Sequence, residues 1–194
     1  MRLPATRLAV LVGAFCTGLL VGACGGRQAT LSADEYAQTL RMRYGNIDRD
    51  LMTSESVDLN EDGEPDQVRY YLNGTLFMIE RDLNFDGRPD LFEYYDSSGA
   101  LVEQELQLDF DPAIDVVRIY RRGVLTQKLV SVEYDGSFTL WKYYDAQGNL
   151  LRVERDSNYD GHVDIWEYYE DGRLVRVGRD VDGDRTPDFV DVIN

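Results

Sequence analysis

A segment of fixed length recurs along this chain, its first position falling at Asp58, Asp82, Gln107, Ser131, Asp156 and Asp180, at spacings of 24, 25, 24, 25 and 24 residues. Nothing else in the sequence restricts the fold so strongly. A constant period means one supersecondary unit stacked on copies of itself, each burying its apolar surface against its neighbours. Each unit opens on an acidic turn, clearest in Asp82-Leu83-Asn84-Phe85-Asp86-Gly87-Arg88-Pro89-Asp90. It then passes an aromatic pair such as Tyr94-Tyr95, turns at a glycine such as Gly99, and closes on a Leu-initiated stretch of mixed polarity.

From Val57 onward the composition between turns is that of strands, rich in Tyr, Trp, Phe, Val and Ile. The alternation of 24 and 25 lies in the second turn of each unit. The shorter units turn through Asn73-Gly74, Arg122-Gly123 and Asp171-Gly172, which suit two-residue hairpin loops. The longer ones turn through Ser97-Ser98-Gly99 and Ala146-Gln147-Gly148, which suit three-residue loops with a left-handed glycine.

Counted from the first acidic position, positions 11 and 13 are apolar or aromatic in every unit (Val68 and Tyr70, Phe92 and Tyr94, Trp141 and Tyr143), which predicts one fully apolar face. Position 14 carries Tyr71, Tyr95, Tyr120, Tyr144 and Tyr169, beside charged side chains at position 12. The expected fold is all-β: tandem hairpin repeats in a curled antiparallel meander or solenoid-like sheet of eleven or twelve strands. Four-stranded propeller blades would number only three, below the usual minimum.

The acidic turns have the chemistry of a calcium loop. Calcium takes six to eight oxygens, and D-x-[DN]-x-[DN]-G supplies side-chain oxygens from positions 1, 3 and 5 and a carbonyl from position 7, the glycine permitting the sharp turn. Unit two offers Asp82, Asn84, Asp86, Asp90 and Glu93; unit five offers Asp156, Asn158, Asp160, Asp164 and Glu167, the glutamate in each standing at position 12. Unit one offers Asp58, Asn60, Asp62 and Asp66, with Arg69 at position 12. Unit six offers Asp180, Asp182, Asp184, Asp188 and Asp191, but Arg185 replaces the glycine.

Two units depart from the pattern. Unit three begins with Gln107 and puts Pro112 where φ should turn positive; unit four has Ser131, Thr139 and Lys142 at positions 1, 9 and 12. They are expected to keep the turn without metal. The competing reading of every loop is the Asx-turn, in which Asp and Asn bond their own backbone and no ion is required. Four carboxylate-rich loops in one register favour a cation, because repulsion among them opposes folding.

Strands rather than helices flank these loops, which resemble the D-x-D-x-D-G-x-x-D loops of thrombospondin type 3, dockerin and integrin-propeller repeats. That resemblance implies that the position-9 aspartate helps to close the site. The runs Tyr143-Tyr144-Asp145-Ala146-Gln147-Gly148-Asn149-Leu150 and Tyr168-Tyr169-Glu170-Asp171-Gly172-Arg173-Leu174 resemble the YD repeats of Rhs and teneurin-type proteins, over the hairpin half of each unit.

The N-terminus differs in kind. Arg2 and Arg7 precede an apolar run from Leu8 to Leu20, too short to span a bilayer and laid out as a secretory signal. It ends in Val21-Gly22-Ala23-Cys24, which resembles the lipobox of bacterial lipoproteins and implies removal of residues 1–23 and lipidation of Cys24. Gly25 in place of aspartate implies an outer-membrane destination in a Gram-negative cell. The alternative is an ordinary signal peptide with Cys24 an idle thiol. Residues 24–31 then form a tether and 32–56 a helix and linker, the helix capped by Ser32 and Glu35, leaving 57–194 as the six-unit repeat domain.

Without Arg2 and Arg7 the 20 basic residues become 18 against 36 acidic ones, a net charge of −18. Such a chain repels nucleic acid and attracts cations. His162 is the single histidine and sits at a loop position where the backbone carbonyl would be the ligand. No nucleophile–base pairing or phosphate loop appears, so the expected function is non-enzymatic: a lipid-anchored calcium-binding protein with a structural or adhesive role at the cell envelope. The alternative is a lipoprotein recognising a glycan or envelope protein through its aromatic face, the loops being only structural. A hydrolase would need a unique carboxylate pair, and here the carboxylates are periodic.

Overall fold

The computed structural model describes residues 51–192; the segment read as signal peptide, tether and helix, Cys24 included, lies outside the described residues, as do Ile193 and Asn194. Twelve strands follow one another: β1 (Thr53–Val57), β2 (Gln67–Leu72), β3 (Thr75–Arg81), β4 (Leu91–Tyr95), β5 (Leu101–Leu106), β6 (Val116–Arg121), β7 (Val124–Val130), β8 (Leu140–Tyr144), β9 (Leu150–Arg155), β10 (Ile165–Glu170), β11 (Arg173–Arg179) and β12 (Phe189–Val192). They form a single antiparallel sheet whose spatial order is the chain order, with β1 and β12 at its two edges. The expected all-β meander is the fold.

The first strand begins earlier than expected, inside the stretch read as linker. Thr53-Ser54-Glu55-Ser56-Val57 carries little apolar signal and is exposed throughout. It is a strand because β2 offers it an edge, in register from Thr53↔Tyr71 to Val57↔Gln67.

The hairpin turns follow their glycines. Asn73 and Gly74 both have positive φ (52° and 80°), the primed turn that matches strand twist. In the longer units Asp96 N–H bonds the Ala100 carbonyl at 2.9 Å around a left-handed Gly99. Every hairpin also slips register by one residue, after Tyr70, Tyr94, Ile119, Tyr143 and Tyr168, bypassing Phe77, Val102, Thr126, Leu151 and Val175 on the return strand. A bulge of this kind adds twist, and its repetition curls the sheet.

One expectation needs correction: the face bearing positions 11 and 13 is not fully apolar. Register places Glu80 opposite Val68 and Phe92, Glu105 opposite Phe92 and Val117, and Glu154 opposite Trp141 and Trp166. These carboxylates are only 5–6% exposed and Glu103 only 1%. They come from the Leu-initiated return strands, whose polar alternation hides which face each residue will join. A buried carboxylate needs partners, and position 13 provides them: the hydroxyls of Tyr70, Tyr94 and Tyr143 donate to Glu80, Glu105 and Glu154 at 2.9, 3.1 and 2.9 Å.

A lid covers this same face. Position 8 of each acidic turn, occupied by Pro65, Pro89, Ile114, Phe138, Val163 and Pro187, is apolar in every unit. In the middle of the array Phe138 and Val163 close over Val117, Leu129 and Trp141, with Ile114, Ile119, Tyr143 and Trp166 packed around them. At the start of the array, Pro65 and Pro89 leave a cleft of about 170 Å³ floored by Val68 and Glu80. At the end, Pro187 closes down on Gly178, where a Cβ would stand 2.8 Å from the proline ring. The acidic turns therefore roof the sheet.

Candidate metal centre

Each turn is shaped by side chains bonding its own backbone. In unit two, Asp82 accepts the N–H groups of Phe85 and Gly87, both at 2.7 Å; Asn84 Oδ1 accepts Asp86 N–H at 3.0 Å; Asp86 accepts Arg88 N–H at 3.0 Å; and Asp90 accepts Leu83 N–H at 2.8 Å. Unit one repeats this with Asp58, Asn60, Asp62 and Asp66, and unit five with Asp156, Asn158, Asp160 and Asp164. Side-chain oxygens at positions 1, 3, 5 and 9 thus accept backbone N–H groups of their own loop, which is the bonding of an Asx-turn.

Except in unit three, where Pro112 stands at position 6, the backbone turns left-handed twice per loop rather than once. Position 4 has positive φ at Glu61, Phe85, Phe110, Tyr134 and Tyr159, as well as position 6 at Gly63, Gly87, Gly136 and Gly161. The position-4 requirement is invisible in sequence because those residues are not glycine. Unit six exchanges the two, with Gly183 at position 4 (φ 80°) and Arg185 at position 6 (φ 69°). Arg185 is thus left-handed without being glycine.

Carboxylates converge most tightly in unit six. Asp180, Asp182 and Asp188 each offer an oxygen, all within 4.8 Å of one another, a set that could hold a metal ion. Asp184 bonds the Thr186 N–H at 2.8 Å and its hydroxyl. Units one, two and five place an amide at position 3, whose Oδ1 is a neutral donor suited to calcium, and whose Nδ2 donates to the position-5 carboxylate at 2.8, 3.2 and 3.1 Å.

Position 12 faces elsewhere. Glu93 accepts from Arg81 Nη2 at 3.0 Å and Gln104 Nε2 at 2.8 Å, and Glu167 pairs with Arg155 at 3.3 Å, each alongside the hydroxyl of the following position-14 tyrosine. Both lie on the sheet among cross-strand neighbours, where a strand carries them away from the turn that a helix would have kept beneath them. Asp191 sits on β12 opposite Val177. Among the described residues the structure thus brings together Asp180, Asp182 and Asp188 of unit six, without Asp184, and leaves the glutamates at position 12 in ion pairs.

The two altered loops solve the same problem without the acid. Pro112 has no N–H for a position-1 carboxylate to accept, and Gln107, oriented to satisfy both amide atoms, donates instead to the carbonyls of Asp111 (2.9 Å) and Pro89 (3.3 Å). Ser131, fully buried, accepts Asp135 N–H through Oγ at 3.2 Å. Burial raises the Asp115 carboxyl above its ordinary range, whereas the Ser137 N–H lowers that of Asp135.

Neighbouring turns are also tied together. The position-1 N–H bonds the position-9 carbonyl of the preceding unit throughout, as in Asp82 to Asp66 (2.9 Å) and Asp180 to Asp164 (3.0 Å). Side chains add Tyr159 Oη to Glu133 at 2.9 Å and Arg185 to His162 Nε2 at 2.8 Å.

No family model and no curated protein matches this chain. Over 53% of its length it is similar to the structure of accessory secretory protein 1, 2 and 3 from Streptococcus pneumoniae (TM-score 0.38, 12% identity). Over 76% it is similar to TarM, solved from S. aureus (TM-score 0.30, 10% identity), and over 64% to a GtfA/B complex bound to UDP and GlcNAc (TM-score 0.28, 13% identity). The chain spans 20–26% of those chains' lengths, and likenesses this distant carry no argument about function.

Proposed function

We propose that this is a calcium-binding repeat protein, anchored to the cell envelope by lipid on Cys24, whose array serves a structural or adhesive role and no catalytic one. The observation that carries the calcium reading is the convergence of Asp180, Asp182 and Asp188 within 4.8 Å, on a loop scaffold that units one, two and five share. Hard oxygen donors of this kind select a hard cation, and a flexible loop suits calcium better than magnesium's strict octahedron. Calorimetric titration of the purified chain with calcium tests it. Asp180→Ala, Asp82→Ala and Asp156→Ala should each remove one bound ion and Asp109→Ala none; equal stoichiometry in all four would leave only turn chemistry. Anchoring is tested by Cys24→Ser, which should move the protein from the membrane pellet to the soluble fraction.

A second reading has its own support. The position-14 tyrosines stand in a row on the face that the loops do not roof, which favours a glycan or protein partner there. Tyrosine variants that lose envelope binding while retaining calcium would support it; loss of binding on chelation alone would favour the first reading.

A further inference from the structure

In a chain of net charge −16, three successive cross-strand positions on the unroofed face are all cationic. Arg118 of β6 stands directly opposite Lys128 of β7, and Lys128 directly opposite Lys142 of β8. Strands lie about 4.8 Å apart, so three cations leave the sheet from backbone positions about 10 Å across. Like charges placed directly opposite one another work against a sheet. All three side chains are partly buried, which withholds some of the water that would screen them.

The surroundings do not neutralise them. On one side the adjacent row is Val116, Val130 and Leu140; on the other it is Tyr120, Leu125 and Tyr144. Along the row the nearest carboxylates are Glu93 and Glu167, already paired with Arg81 and Arg155. Gln104 stands between Glu93 and Arg118: its Nε2 donates to Glu93, while its Oε1 accepts Tyr120 Oη at 2.7 Å and Arg118 Nη1 at 3.4 Å. Among the described residues Lys128 and Lys142 have no ion-pair or hydrogen-bond partner. Burial, and then the charges of Arg118 and Lys142, pull the Lys128 ammonium below the usual lysine range.

We infer that Arg118, Lys128 and Lys142 form an anion-binding site for a phosphate-type dianion, inorganic phosphate or a phosphomonoester. A tetrahedral oxyanion can accept from the planar arginine fork through two oxygens and from the lysines through the others. A single carboxylate would leave the cluster with excess positive charge. Tyr120 and Tyr144 flank the site, the former with its hydroxyl already spent on Gln104. The site uses position 12 of units three and four and a return-strand lysine, all on the sheet, and stands whether or not the acidic turns bind metal.

The test is calorimetric titration of the purified chain with inorganic phosphate at constant ionic strength, with glycerol 3-phosphate in parallel and sodium chloride as control. Saturable one-to-one binding is expected, weakened at least tenfold by Lys128→Gln and by Lys142→Gln. Both variants should melt at or above the parent temperature, since each removes like-charge repulsion, so loss of binding would not reflect loss of fold. Tighter binding of glycerol 3-phosphate would assign the site to a phosphomonoester, and equal binding to the phosphate group alone. Heats no greater than those of chloride, or variants that bind as the parent does, would overturn the proposal.

Discussion

The ends of the array and its middle are built from one repeat but open their turns on different residues. Units one, two, five and six carry full acidic turns, and in three of those four the lid residue is proline. Units three and four have lost the position-1 acid, yet it is over them that Ile114 and Phe138 close the hydrophobic core on Val117, Leu129 and Trp141. The cationic row Arg118, Lys128 and Lys142 lies on the opposite face of the same two units. Burial does not separate the two kinds of turn: Asp66, Asp82, Asp90 and Asp156 of the acidic turns are buried, and Val163 of unit five joins the same core. What divides the array is the residue that opens each turn, an aspartate in the outer units and Gln107 or Ser131 in the middle.

That division can be broken at either end. The largest effect should come from chelation, because each occupied loop contributes RT ln(1 + [L]/Kd), about 2.7 kcal/mol at a hundredfold excess of ion over Kd. Adding EDTA should lower the Tm steeply, and salt should restore it only in part, since screening relieves repulsion without supplying ligand bonds. A melting curve indifferent to EDTA would reduce the outer turns to the Asx kind seen in the middle.

The middle should fail differently. Phe138→Ala should cost about 3–5 kcal/mol with or without calcium, because it opens a cavity above Trp141. Pro89→Ala should cost less than about 1 kcal/mol, chiefly through the unfolded chain. Similar losses at the two positions in denaturant titrations would mean that the lid is equally important along the whole array.

Glu105 marks the border between the regions. Burial first, and the Glu103 charge second, raise its carboxyl from 4.5 to about 7. Between those values the folded chain keeps a proton that the unfolded chain has released, so this contribution is full below about pH 4.5 and is lost as pH rises through 7. The loss is on the order of 3 kcal/mol. Glu105→Gln should flatten that slope and raise the Tm at pH 8; an unaltered pH profile would mean that Glu105 is ionised without penalty. A small effect, opposite in sign to the losses at Phe138 and Pro89, concerns unit six, where Arg185→Gly should relieve a left-handed arginine and stabilise the fold by about 1 kcal/mol. A loss of stability there would show that the Arg185 contact with His162 outweighs the strain.

Much of this was legible in the residues. The period, the hairpin turns at Asn73-Gly74 and Ser97-Ser98-Gly99, and the Asx-bonded shape of the acidic turns all rest on local chemistry: positive φ, short loops, and side chains that bond backbone two to seven residues away. The lid was legible too, in the apolar position 8, but it lay inside a turn already read as a metal loop. The buried glutamates escaped notice because Glu80 and Glu105 read as solvent-facing members of alternating strands.

The sequence by itself determined a repeating antiparallel hairpin array with acidic turns, because each hairpin is decided within its own two dozen residues. Only the tertiary structure decided which strand faces meet. Cross-strand register brings together residues ten or more apart, pairing Glu80 with Tyr70, turning Glu93 towards Arg81 instead of its loop, and setting Arg118, Lys128 and Lys142 in one row. A one-residue bulge in each hairpin shifts those pairings, and no local pattern announces it.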